Sequence, residues 1–166
     1  LTRILAGFLL FACVLATAYV TPVRSEPDTV VLFIDIDDGD SETHHVELTL
    51  KDLQALPVTQ FATTTIWTNG PQVFSGVWLS TLLEHLEITS GVIELQAIND
   101  YRVSFPIEQI EPKGALLAYQ RNGNVMTARE NGPLWLVYDY DSDPEYRSET
   151  YYSRSIWQLD RISISR

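Results

Sequence analysis

The sequence predicts an α+β domain, a mixed β-sheet with a few short helices, and three observations lead there. β-Branched and aromatic stretches bounded by Gly, Asn and Asp turns recur along most of the chain. Only one segment carries a strong helical period, and no repeat or linker divides the chain. With 166 residues, 45% apolar and 20% charged, the chain has the size and composition of one globular domain.

The elements follow in order. Thr29 to Ile36 (TVVLFIDI) reads as a strand, Asp37-Asp38-Gly39-Asp40 as a turn, and His44 to Leu48 as the returning strand of a hairpin. Thr49 with Asp52 three residues later is a capping-box pattern, which opens a short helix over Leu50 to Leu56 that Pro57 stops. Val58 to Thr65 is the next strand. Asn69-Gly70-Pro71 marks a turn, and beyond Gly76 the segment Trp78 to Leu86 sets Leu79, Leu82, Leu83 and Leu86 on one helical face. Strands then return: Val92 to Ile98, a turn at Asn99-Asp100, Arg102 to Phe105, Ala115 to Gln120, a hairpin turn at Arg121-Asn122-Gly123-Asn124, Leu134 to Tyr138, and Ile156 to Ile164.

Charge narrows the function. Lys and Arg total 11 against 22 Asp and Glu, for a net charge of -11. Without a basic cluster there is no footprint to neutralise phosphates, so nucleic acid is excluded, as is polybasic docking on anionic lipid.

The N-terminus reads as an address. Arg3 precedes an apolar run from Ile4 to Val20, followed by small and then polar residues, the layout of a secretory signal peptide. Two cleavage points fit, after Ala16-Thr17-Ala18 and after Val23-Arg24-Ser25, so the mature chain is expected to begin between residues 19 and 26. The run falls short of the roughly 20 apolar residues that span a bilayer, so no membrane insertion is expected after cleavage. The expected organisation is a signal peptide over 1–25 and a single periplasmic domain over 26–166. Cleavage also removes Cys13, the only cysteine, and with it any disulfide or thiolate ligand.

Familiar chemistry is missing. There is no G-x-S-x-G, P-loop, G-x-G-x-x-G or H-E-x-x-H pattern, and no catalytic residue is assigned. His44 and His45 would point to opposite faces of a strand, so they cannot share a metal ion, and no metal ligands are assigned. Asp139 to Glu145 spaces four carboxylates at alternate positions, but Pro144 stands where a calcium loop requires glycine, so it reads as a solvated acidic loop; the longer stretch Asp139 to Glu149 is read as either a flexible charged partner surface or a plain solubilising loop. Asp35, Asp37, Asp38 and Asp40 form another acidic cluster, which either crowds like charges enough to raise a carboxylate pKa or is the ordinary composition of a hairpin turn.

What remains is a set of aromatic residues beside polar ones at strand ends. Trp67 follows Thr63-Thr64-Thr65, Tyr101 follows Asn99-Asp100, Arg129 precedes Gly132-Pro133-Leu134-Trp135, and Arg154 precedes Trp157-Gln158. Such residues either pack a core or line a pocket for a flat polar ring, which needs an aromatic face, an acceptor for paired N–H donors and a donor for a carbonyl oxygen.

The segment order LTLKDLQALPVTQF, a short strand, FSGVWLSTLLEHL, INDYRVSFP, LLAYQRNGNVM and GPLWLVYD resembles the oxidoreductase molybdopterin-binding domain of the sulfite oxidase fold, over residues 46 to 165. In enzymes of that fold a cysteine after the strand that follows the first short helix ligates molybdenum, and here that stretch reads TTTIWT. TTTIWT, NDY, GPLW and the C-terminal WQL are similar instead to a cysteine-free, exported branch, periplasmic pterin-binding regulators of the PruR type. That resemblance implies a non-catalytic module that binds a reduced pterin without molybdenum or any covalently held cofactor. It also implies a protein partner, the periplasmic domain of a membrane-bound sensor or cyclic-di-GMP enzyme. The expected ligand residues are Trp67 or Trp157 as stacking surface, Asp100 as acceptor for the pterin N–H edge, Tyr101, Arg129 and Arg154 as polar walls, and Thr65, Asn99 and Trp135 beside them. A molybdenum-cofactor oxidoreductase without the cysteine, or an accessory subunit, is the alternative.

Overall fold

A computed structural model describes residues 29–39 and 42–166. The signal-peptide reading falls on residues outside these, as does Asp40 of the first turn. Strands β1 (Val30–Asp37) and β2 (His44–Thr49) form the expected antiparallel hairpin. Thr49 then caps α1 (Leu50–Ala55): its Oγ1 accepts from the Asp52 amide at 3.2 Å, while Asp52 Oδ2 accepts from the Thr49 amide at 2.9 Å. Two of the helix's orphan donors are thereby satisfied by two side chains, which lets so short a helix hold its first turn.

Strand β3 (Thr59–Thr63) pairs with β4 (Gln72–Trp78), a strand that the sequence pattern did not mark. The reason is burial on both faces: Phe74, Ser75, Gly76 and Val77 are all buried, so no alternation is visible. Gly76 looks like a breaker, yet it lies where β4 closes on β7 (Leu116–Arg121), and a Cβ there would sit 2.1 Å from the Leu117 carbonyl oxygen. Close approach of two backbones, not a turn, requires the glycine.

Helix α2 (Leu79–His85) buries Leu79, Leu82 and Leu83, as the period predicts. The remaining strands are β5 (Val92–Ala97), β6 (Arg102–Pro106), the two-residue β8 (Asn124–Val125), β9 (Leu134–Val137) and β10 (Trp157–Ser165). They join in one sheet of order β2-β1-β10-β9-β7-β4-β3, with β5 paired to β10, β6 to β5, and β8 to β7. The β1–β10 pair is parallel and the others are antiparallel, so the sheet is mixed as expected.

Strand alternation divides the interior into two cores. Leu117 and Tyr119 of β7 and Leu134 and Leu136 of β9 enter the larger one with α2, β1, β5 and β10, whereas Leu116, Ala118, Trp135 and Val137 enter a smaller one on the other face. Phe61, Trp67, Trp78 and Trp157 pack at the margin of the smaller core. Its edge is therefore aromatic.

Two expectations are corrected. The stretch 139–149 is exposed over most of its length, as expected of a solvated segment, but it is not an unstructured loop: Tyr140 is buried, Pro144–Arg147 forms a 3-10 turn, and α3 (Glu149–Arg154) starts directly behind it. The tyrosines among the carboxylates explain the difference, because Tyr146 and Tyr151 pack on the buried Tyr138 with ring centroids 5.4 and 4.9 Å away. In the first acidic cluster, burial pushes Asp35 up, but hydrogen bonds from His45 and Arg161 outweigh it and hold the carboxyl below its usual range. Among the described residues, no helix is long and apolar enough to cross a membrane.

Candidate functional site

Where the aromatic margin reaches the surface it opens into a cleft of about 300 Å³. Three chain segments and one strand start build it. Trp67 comes from the loop after β3, Ala97, Asn99 and Tyr101 from the end of β5 and the turn to β6, Tyr152, Ser153, Ser155 and Ile156 from α3 and its exit, and Trp157 from the start of β10. None of these side chains is charged.

Trp67 is the hub of the aromatic wall. Its ring meets Trp157 at 5.6 Å, Tyr152 at 5.7 Å, Trp135 at 6.0 Å and Tyr140 at 6.2 Å between centroids, each edge to face. The loop that carries it is braced by Thr65, whose Oγ1 accepts from the Trp67 amide at 3.1 Å and pairs with Thr68 Oγ1 at 2.8 Å. Trp157 is aimed by an irregular strand start. Gln158 takes a left-handed φ of 52°, its amide donates to the Asn131 carbonyl at 2.9 Å, and Trp157 lies opposite Trp135 in the β10–β9 register. Left-handed backbone at a glutamine is costly, and here it sits beside the cleft.

The polar side of the cleft is fixed by short-range bonds. Asn99 Oδ1 accepts from the Tyr101 amide at 3.2 Å, and the Tyr101 hydroxyl donates across to the Ser153 carbonyl at 3.0 Å. Ser155 Oγ donates to the Tyr151 carbonyl at 2.7 Å and shares a short hydrogen bond with the Tyr140 hydroxyl. Burial pushes the Tyr140 phenol far above its ordinary pKa, with the Ser155 bond opposing it, so this group stays protonated.

Of the residues singled out in the sequence, Trp67, Asn99, Tyr101 and Trp157 meet at the cleft, and Thr65 supports it from behind. The others are placed elsewhere. Trp135 is fully buried behind Trp67 and Trp157, so it backs the wall and does not line it. Asp100 has a left-handed φ of 65° and its carboxylate accepts from Gln96 Nε2 at 3.0 Å, which turns it toward β5. Arg154 lies 4.1 Å from the Phe105 ring centroid, bonds Gln109, and borders a separate groove with Glu108, Glu111 and Glu145. Arg129 is exposed on the 3-10 turn Ala128–Glu130. Tyr152, Ser153 and Ser155 were missed because the sequence reading assigns no element to α3, and Ile156 was read only as the start of the last strand. Ser148 followed by Glu149 was the available helix-start signal.

No protein-family model matches the chain, and no curated protein matches it. Among solved structures, the chain is similar to the sulfane dehydrogenase SoxCD from Paracoccus pantotrophus, with a TM-score of 0.55 and 18% identity, over 81% of this chain and 38% of that one. At that identity the likeness is one of fold, and this chain corresponds to well under half of the SoxCD chain.

Chemically, the cleft offers aromatic faces, an amide and hydroxyls, without a side-chain charge. That set suits a flat, neutral or weakly polar heterocycle, held by stacking and oriented by a few hydrogen bonds. Among the described residues there is no group of three or more His, Cys, Asp or Glu placed to hold a metal ion.

Proposed function

We propose that the chain is a non-catalytic, periplasmic binding module of sulfite oxidase-like fold that takes a reduced pterin in the Trp67–Trp157 cleft. Occupancy is passed to a membrane-bound partner, such as a cyclic-di-GMP enzyme. The observation that carries the reading is the pairing of two cleft-lining indoles with a wall free of charged side chains. A pterin ring is flat, aromatic at one end and rich in N–H and carbonyl groups, so stacking with a few hydrogen bonds is what it needs. The likeness in fold to SoxCD supports the sulfite oxidase-like assignment. The periplasmic address rests on the N-terminal apolar run, and the partner on the resemblance of TTTIWT, NDY, GPLW and WQL.

The residues present do not suit the molybdenum cofactor that the resemblance would otherwise bring. The segment after β3 supplies threonine hydroxyls where a soft thiolate ligand is needed: Thr64 Oγ1 bonds Asp141 at 2.6 Å and Thr65 Oγ1 bonds Thr68. The cleft also has no Arg or Lys to clamp the cofactor's phosphate.

The experiment is solvent extraction and mass spectrometry of protein purified from its own cells, with molybdenum assayed on the same sample. A released pterin with substoichiometric molybdenum is expected. Stoichiometric molybdenum would overturn the reading and restore the oxidoreductase.

A further inference from the structure

The acidic stretch that follows β9 reaches the cleft's main aromatic wall. Residues 64–68, between the end of β3 and the Asn69-Gly70-Pro71 turn, have no regular secondary structure, and the Thr65–Thr68 and Thr65–Trp67 bonds are internal to them. Beyond a long bond from the neighbouring Thr63 Oγ1 to the Thr64 carbonyl at 3.4 Å, hydrogen bonds tie this segment to Asp141. Its Oδ2 accepts from the Thr64 amide at 2.7 Å and its Oδ1 from Thr64 Oγ1 at 2.6 Å. The Asp141 amide in turn donates to Thr63 Oγ1 at 3.2 Å. Arg147, on the Pro144–Arg147 turn, holds the carboxylate by a short ion pair and anchors its own guanidinium on the Tyr140 carbonyl at 2.7 Å. Tyr140, one residue before Asp141, packs against Trp67 and bonds Ser155 of the cleft.

From this juxtaposition we propose that Asp141 is the positioning residue of the binding wall: it clamps Thr64 and so fixes the loop that presents the Trp67 ring to the ligand. The inference deepens the pterin-binding reading and rests on it for the ligand, but the clamp itself is a property of the free protein. A carboxylate that accepts from a backbone amide and a hydroxyl of one residue, and is held by a guanidinium on the same oxygen as the hydroxyl, leaves that residue little freedom. The acidic stretch thus serves the cleft. Hydrogen bonds from the Thr64 side chain and amide, with Arg147 adding to them, hold the Asp141 carboxyl below its usual range, so the clamp is charged at neutral pH.

The test uses protein labelled with 5-fluorotryptophan, with the Trp67 fluorine resonance assigned by Trp67→Phe. In Asp141→Ala the Trp67 resonance is expected to shift or broaden while that of Trp78, stacked on Phe61, holds its place. Thr64→Val, which removes one of the two Thr64 donors, is expected to shift it less. Asp141→Asn keeps one carbonyl oxygen as acceptor and is expected to fall between wild type and Asp141→Ala. Affinity for tetrahydrobiopterin, used as the probe, is expected to drop at least tenfold in Asp141→Ala, with the Asp141→Ala/Thr64→Val pair no weaker than Asp141→Ala alone.

An unmoved Trp67 resonance in Asp141→Ala would overturn the proposal whatever the ligand does. Should Asp141→Ala lose resolved signals from all the tryptophans, Thr64→Val decides: a selective Trp67 shift supports the clamp, and none overturns it. Wild-type protein that fails to bind the probe counts against the pterin reading, and the fluorine spectra still decide the clamp.

Discussion

Replacing Trp157 with alanine is expected to weaken binding of a reduced pterin about 10- to 100-fold while leaving the protein folded. Loss of one aromatic platform from under a flat heterocycle costs roughly 1–3 kcal/mol. Trp157 is only partly buried, so its ring is available to a ligand, yet it touches Trp67 and Trp135 edge to face and helps shape what is left of the wall. Trp157→Phe keeps a stacking face and is expected to retain most of the affinity. Titration of both variants, with a thermal melt of each, separates loss of the platform from loss of the fold.

Trp135→Ala should behave in the opposite way, with a large loss of stability. The side chain is fully buried in the smaller core, with Phe74 at 5.4 Å, Trp67 at 6.0 Å and Trp157 at 6.3 Å around it. Emptying such a site costs about 3–5 kcal/mol, a large share of the roughly 5–15 kcal/mol that holds a domain folded. The Trp135 indole N–H has no hydrogen-bond partner in its buried position. An orphaned buried donor is itself destabilising, so Trp135→Phe, which removes the donor and keeps a ring, is expected to be much milder than Trp135→Ala. Urea unfolding of the two variants checks this. A Trp135→Ala protein as stable as wild type would mean that the smaller core does not support the cleft as described.

The two tryptophans show what the sequence could and could not tell. Both stand in strand-like stretches, Trp135 between Leu134 and Leu136 and Trp157 between Ile156 and Gln158, and these flanks alone do not say which ring lines a cleft. The difference comes from the sheet. Trp135 sits in β9, covered on both faces, whereas Trp157 begins β10 beside an irregular backbone at Gln158, whose amide donates to Asn131 and whose carbonyl accepts from Ile98, both distant in sequence. Local chemistry was read well where it is short in range. The Thr49–Asp52 capping box, the leucine face of α2 and the β1–β2 hairpin depend on neighbours within a few residues, and they stand as expected.

β4 escaped because a strand buried on both sides loses its alternation, and Gly76 then resembles a turn. Asp100 and Arg154 are expected at the ligand from the resemblance and the hydrogen-bond needs of the ring, but other partners hold them: Gln96 by a hydrogen bond to Asp100, and Gln109 by a hydrogen bond and the Phe105 ring by a cation–π contact to Arg154. The acidic stretch was judged by its carboxylates, whereas its tyrosines decided its structure and Asp141 linked it to the cleft. In each case the deciding partner lay close in space, and the sequence did not show which of its residues that partner would be.

The most direct test of the central claim is isothermal titration of the intact protein with tetrahydrobiopterin under anaerobic conditions. The account predicts one saturable site per chain, lost or severely weakened in Trp157→Ala and retained in Trp157→Phe. Absence of a saturable site up to millimolar pterin, or a site that Trp157→Ala leaves unchanged, would contradict it.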